Sequence, residues 1–168
     1  MTDFAVLNST DSYVLTNATV STFVTDGIDQ ISESEDLARI DIRVENAKFT
    51  QFATARSLDQ GTEPNIDLDG GMVLPTLVDC HTHLDKGHIW PRRPNRDRTF
   101  GSTLNATFED RATSWSGEEV RRHMDFALRC AYAHGTSLIR PHIDSLPPQN
   151  EISWPILCEV VQDWSDRI

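Results

Sequence analysis

From Met1 to Gly70 the chain alternates short apolar runs with clusters of Asn, Ser, Thr and Asp, the grammar of strands and turns. Phe4–Leu7 and Tyr13–Leu15 are brief apolar runs. The clearest strand is Ile40-Asp41-Ile42-Arg43-Val44-Glu45, where apolar and charged residues alternate strictly. A period of two predicts a sheet with one buried face. Asn46-Ala47-Lys48 reads as a turn into a partner strand, Phe49–Phe52. Asp26–Asp36, acidic and rich in Ser, and Asp59–Asn65 read as exposed loops. No internal repeat or long low-complexity tract interrupts the pattern.

After Gly70-Gly71 the pattern changes. Met72–Val78 is nearly continuous apolar sequence, as expected of a strand buried on both faces. A polar segment rich in Arg and Pro, Lys86 to Arg98, must be loop. Ser116-Gly117-Glu118-Glu119 then predicts a helix start, with Ser116 as N-cap and Glu119 placed to complete a capping box. Val120, Met124, Ala127 and Ala131 form its buried stripe, and Arg121, Arg122, Asp125 and Arg129 face water. Gly135 ends it. Ser137–Arg140 begins another strand, Pro147-Pro148 breaks the chain, and Ile152–Trp164 is a last amphipathic segment. Strand, long loop, helix, strand and helix make βα grammar, which implies a parallel sheet or barrel.

Composition narrows the function classes. The 168 residues are 38% hydrophobic and 24% charged, enough to bury a core. Fifteen Lys+Arg against 26 Asp+Glu give a net charge of −11, which argues against nucleic acid or an anionic membrane as partner. No apolar stretch reaches the ~20 residues of a membrane span, and Met1-Thr2-Asp3-Phe4 is not a secretory start. Cys80, Cys130 and Cys158 are few and unpatterned, so a cytoplasmic location is expected.

The segment with chemistry is Asp79-Cys80-His81-Thr82-His83-Leu84-Asp85, at the end of the buried strand. Two strand steps part the histidines by about 6.5–7 Å on one face, so both imidazoles can converge on one ion. Zinc is the natural guest of such nitrogens, with iron or another divalent ion as the alternative. Asp79 and Asp85 share the parity and can fix a histidine tautomer. Cys80 points the other way and should pack as a small buried residue.

Gly70–Pro75 leading into Leu77-Val78-Asp79-Cys80-His81-Thr82-His83-Leu84-Asp85-Lys86 resembles the opening of the amidohydrolase superfamily. Its cytosine deaminase branch, which includes enzymes that remove amino substituents from s-triazine rings, is similar at Thr82–Lys86 and again at Gly135–Asp144, with its Arg-x-His-x-Asp. Thr76, where that pattern has Gly, and Pro141, inside the second strand, depart from it. The resemblance implies an α/β fold. Residues 1–70 are then a segment of an N-terminal β-sandwich, and residues 71–168 the first two βα units of a (β/α)8 barrel. It further implies that His81 and His83 bind one divalent metal ion, zinc or iron. A metal-bound hydroxide then displaces the amine from a small heterocyclic substrate, cytosine-like or an aminotriazine.

Arg140, His142 and Asp144 share a parity on the second strand. With Asp79 and Asp85 they line the substrate pocket or support the metal ligands from behind; the plainer account of the three is an ion-pair network sealing the barrel mouth. His142 is not expected to ligate the metal. Lys86 and His88 are expected to be solvated loop residues, His123 and His134 surface residues, and the arginines of Pro91–Arg98 partners of local carboxylates.

From Gly71 to Ile168 there are 98 residues, whereas a complete barrel needs ~250. No further metal ligand and no catalytic base is expected within the chain. It is therefore read as the N-terminal portion of a hydrolase, inactive alone, with its C-terminal portion missing. The alternatives are a non-catalytic metal-binding module, or one half of a split enzyme completed by a partner chain or a homo-oligomer.

Overall fold

The computed structural model describes residues 10–28, 36–59 and 61–168. They form two compact units, divided between Pro75 and Thr76. The expected strand Phe4–Leu7 and positions 29–35 of the expected loop Asp26–Asp36 lie outside the described residues.

The described residues of the first unit form one mixed sheet. Strand β1 (Ser12–Ser21) pairs antiparallel with β2 (Leu37–Glu45), and β2 with β3 (Lys48–Thr54). On the other edge of β1 lie the short parallel strands β4 (Asn65–Asp67) and β5 (Met72–Val73). Asn46 and Ala47 join β2 to β3 with φ of 52° and 58°, the left-handed pair that matches the twist of a two-residue hairpin. Leu15, Ala18, Val20, Ile28, Ala38, Ile40, Ile42 and Val44 form the core.

Asp41 departs from the alternation that assigned it to the open face: it is wholly buried. The cause is a bulge on one side and the backbone of Arg56, Ser57 and Leu58 on the other. β1 advances from Leu15 to Ala18 while β2 advances only from Ile42 to Ile40, so Thr16 and Asn17 crowd opposite Asp41. The Asp41 carboxylate accepts the N–H groups of Asn17, Arg56, Ser57 and Leu58 at 2.9–3.0 Å. Burial alone would raise this carboxyl, but the four N–H bonds outweigh it and hold the group below the ordinary aspartate value.

The apolar run Met72–Val78 is not one strand. Met72 and Val73 pair with Thr19 and Val20 in the first sheet, Pro75 interrupts, and Leu77 starts a strand of the second unit.

That unit contains β6 (Leu77–His83), α1 (Phe100–Ser114), α2 (Gly117–Ala133), β7 (Thr136–His142) and α3 (Asn150–Trp164), with β6 parallel to β7. Helix α1 is an addition to the expected order. Thr99 caps it by accepting the Ser102 N–H. Ser116 caps α2 by accepting the Glu119 N–H at 3.2 Å, but the box stays half formed because the Glu119 carboxylate turns to Arg92, Arg122 and His123. The core holds Leu84, Trp115, Val120, Met124, Leu128, Leu157, Val160 and Trp164. Ala127 joins it only partly, and the stripe runs through Leu128 and His123, so His123 is a buried residue rather than a surface one.

One expectation about the strands changes, and the departure at Pro141 is accommodated by an irregularity. Leu77 and Val78 are 58% and 62% exposed rather than buried, because among the described residues β6 has a hydrogen-bonded neighbour only in β7. Pro141 does not end the pairing of β7. β6 takes three steps from Asp79 to Thr82 while β7 takes two from Ile139 to Pro141, and this irregularity carries the missing N–H of the proline.

Candidate functional site

That irregularity falls inside the histidine motif. Cys80 and His81 are the crowded residues, and the exposed Asp79 folds its carboxylate back to accept the His81 N–H at 3.1 Å. Asp79 therefore shapes the strand that bears the histidines. Cys80 is exposed here, not packed as a small core residue.

His81, His83 and His142 form one cluster. The rings of His81 and His83 are 5.6 Å apart and tilted by 51°. His142, opposite His83 in the β6–β7 register, stacks on His81 at 3.9 Å and stands 5.8 Å from His83. Burial, then the neighbouring Lys86 cation, lowers the basicity of His83 and favours the neutral imidazole.

Two aspartates stand beside this cluster. Asp85 is fully buried, and its Oδ2 accepts the Asp144 N–H at 2.9 Å, tying the end of β6 to the end of β7. Burial pushes the Asp85 carboxyl up. The Asp144 carboxylate receives Lys86 Nζ at 2.8 Å and Arg111 at 3.4 Å, and its Oδ1 lies 3.9 Å from His83 Nδ1. Lys86 is thus paired, where sequence reasoning left it solvated. Arg111 was missed because α1 was missed. Arg140 is exposed and joins none of these bonds.

Behind the site, His123 Nδ1–H donates to the Asp85 carbonyl at 3.0 Å while its Nε2 faces Glu119 at 3.2 Å. Arg92 bonds Glu119 and holds the buried Asp110 through two bonds, at 2.6 and 2.9 Å. His88 and His134 are exposed, His88 edge-on to Phe126. A cleft of about 520 Å³ lined by His88, Arg92, Glu119, Phe126 and Arg129 does not include the histidine pair.

The donor set fits part of a metal site. His83 Nδ1, His142 Nδ1 and Asp85 Oδ1 are buried without a hydrogen-bond partner, which marks a ligand-binding centre more than a structural core. Two imidazoles sharing a tetrahedral zinc ion at about 2.0–2.1 Å would have ring centres roughly 5 Å apart, close to the 5.6 Å between His81 and His83. Stacked rings such as His81 and His142 lie side by side instead of converging. Among the described residues, no group of three or more His, Cys, Asp or Glu is arranged to hold a metal.

No protein-family model matches the chain. It is 47% identical over 160 residues to a pterin deaminase of Rhizobium rhizogenes, an alignment covering 93% of this chain and 35% of that protein. Among solved structures, a 5-methylcytosine deaminase from Klebsiella pneumoniae superposes with a TM-score of 0.67 at 20% identity, over 92% of this chain and 34% of the other. An N-isopropylammelide isopropylaminohydrolase from Burkholderia multivorans gives 0.61 at 22% identity, over 95% and 36%. The chain thus spans about a third of the length of its relatives, deaminases and amidohydrolases that act on C–N bonds. Over that third the chain is similar in sequence to the pterin deaminase and in fold to the two hydrolases, a likeness that indicates the amidohydrolase superfamily.

Proposed function

We propose that this chain is the portion of a heterocycle deaminase that bears two of its metal-binding histidines. The observation that carries the proposal is the paired His81 and His83 at the bulged end of β6, with the buried His83 Nδ1 and Asp85 Oδ1, neither with a hydrogen-bond partner among the described residues, beside them. The 47% match to a pterin deaminase supports it and makes a pterin the first substrate to try. The looser structural likenesses leave cytosine-like and aminotriazine rings as the next two.

In this reading His81 and His83 would hold zinc or iron, whose contribution when bound would be the activation of water near pH 7. The other residues position these ligands. Asp79 fixes the bulge that sets His81, Asp85 locks the two strand ends together, and Asp144 presents its carboxylate to His83. Lys86 and Arg111 hold Asp144 in place. His142 packs against His81 and limits its rotation. Arg140 borders the pocket. The described sheet of the first unit serves as one layer of a sandwich, and the second unit supplies the first strands of the barrel. Two imidazoles leave an ion mostly hydrated, so the isolated chain turns over no substrate. The exposed Leu77, Val78 and Leu138 support burial of this sheet by further polypeptide.

The test is ammonia release by a protein that carries this segment together with the remaining length of its relatives, loaded with zinc or iron. Release from pterin, cytosine or an aminotriazine, abolished by His81→Ala and by His83→Ala, is the expected result. A folded, metal-loaded protein that deaminates none of the three rejects the proposal.

A further inference from the structure

Helix α1 is built inside out. Its polar side is the one held by the protein: Asp110 receives Arg92, Thr113 receives Arg93, and Asn95 bonds Ser102 and Thr103. Its apolar side is open. Phe100, Leu104 and Phe108, spaced four residues apart, are 78%, 39% and 46% exposed. A helix serving only the fold would turn these faces the other way. An apolar stripe held outward by ion pairs and hydrogen bonds at its back has something to meet.

The stripe runs toward the histidine cluster. Arg111 lies on the same side, the four residues spanning an arc of about 80° at 100° per residue. Its guanidinium sits 4.8 Å over the Phe108 ring, and its Nη1 is 3.4 Å from Asp144 Oδ2. The other oxygen of Asp144 is the one near His83. Phe108 is thereby linked to the proposed metal ligand through two side chains. Helix α1 also belongs to the connection that leaves the C-terminal end of β6, where parallel-sheet active sites form.

We infer that Leu104, Phe108 and Arg111 form a wall of the substrate pocket, with the Phe108 ring packing on the flat face of the heterocycle. The inference rests on the proposed function and adds a specificity-determining residue to it. An apolar surface ending in a few convergent charged groups is the usual make-up of a small-molecule pocket. It suits a planar ring with a polar edge: the ring covers Phe108, and the edge meets Lys86, Asp144 and Arg111. The Arg111 guanidinium covers one face of the Phe108 ring and leaves the other for the heterocycle.

The experiment uses the complete, metal-loaded protein and whichever heterocycle it deaminates. Phe108→Ala raises KM about 10-fold with kcat little changed, the signature of lost uniform binding, and Phe108→Tyr restores it. Phe126→Ala, on an exposed part of α2, leaves both constants alone. The deaminated product, titrated calorimetrically into the metal-stripped protein, weakens in parallel, which separates ring packing from any effect on the ion. An active protein whose KM and product affinity ignore Phe108→Ala overturns the inference and leaves the proposed function standing. So does a variant with normal binding but a melting point several degrees lower, which would show the stripe covered by protein, or one with an altered oligomeric mass, which would show it covered by a second copy. A complete protein inactive on every ring tested removes the function and this wall with it.

Discussion

Two aspartates in this chain do the same job. Asp41 caps the Asn17 N–H left over by the bulge in β1 together with those of Arg56, Ser57 and Leu58, and Asp79 caps the His81 N–H at the irregularity in β6. Both were singled out by sequence only as members of an alternating pattern, one as a charged strand residue and one as a neighbour of the histidines. Period-2 reasoning assigns a face but not what covers it. Asp41 keeps the face opposite Ile40 and Ile42 and is buried there by the β1 bulge and the backbone of Arg56, Ser57 and Leu58, and the irregularity after Asp79 makes its parity say little about its role. The pair His81 and His83 was legible because a two-residue spacing needs no knowledge of the partner strand. Arg111 was not, since its contact with Asp144 exists only after tertiary folding. For Asp41 the energetics are direct. Asn in its place cannot accept four N–H bonds without turning an NH₂ group toward two of them, so Asp41→Asn should cost about 2–3 kcal/mol by urea denaturation. The depressed carboxyl adds a pH signature. Its stabilisation is present above the unfolded value of about 4 and fades as the pH falls through the lower folded value. The wild-type chain should therefore lose stability more steeply below about pH 4 than Asp41→Asn does, and equal acid limbs would remove the capping role.

At the level of elements, the strands around the hairpin and the helix α2 could be read from the sequence, whereas α1 could not. Helix α2 carries an N-cap, an apolar face and a terminating Gly135 at φ +82°. Helix α1 lacks the usual core stripe because its apolar residues face outward, and the periodicity that reveals most helices reports a buried face. Two turns allow direct tests. Ala47 holds φ of 58° in the hairpin, a conformation that costs an L residue roughly 1 kcal/mol, so Ala47→Gly should stabilise the first unit by up to about that amount. Gly135→Ala should do the reverse in the second unit. Nothing lies within 4 Å of a Cβ built there, so only the backbone strain of φ +82° opposes it, again about 1 kcal/mol or somewhat more. Thermal unfolding of the two variants should move in opposite directions. A shift of the same sign in both would mean that these left-handed positions are relieved by local rearrangement.

For the whole molecule, the second unit has its core on one side of a two-stranded sheet and open apolar surface on the other. Val78 and Leu138 face each other in the β6–β7 register and are 62% and 58% exposed. A parallel sheet normally hides both faces, because its helical crossovers cover them. The sequence reads Met72–Val78 as one strand buried on both faces, whereas the run divides at Pro75 and its Leu77–Val78 part is exposed. The isolated 168-residue chain should therefore associate as its concentration rises, in a manner driven by this patch. Replacing Val78 and Leu138 together by Lys should suppress the association in sedimentation velocity while leaving the far-ultraviolet circular dichroism unchanged, since neither side chain belongs to the core. The same chain, exhaustively dialysed after loading with zinc, should retain well under one ion per molecule, because two imidazoles do not complete a tetrahedral site. The two measurements constrain each other. If association and tight metal binding appear together and are both lost in the Lys variant, the missing ligands come from a second copy across the exposed sheet. If association appears without retained metal, the surface is sticky but does not complete the site, and the ligands that finish it lie in the remaining two thirds of the length seen in the relatives.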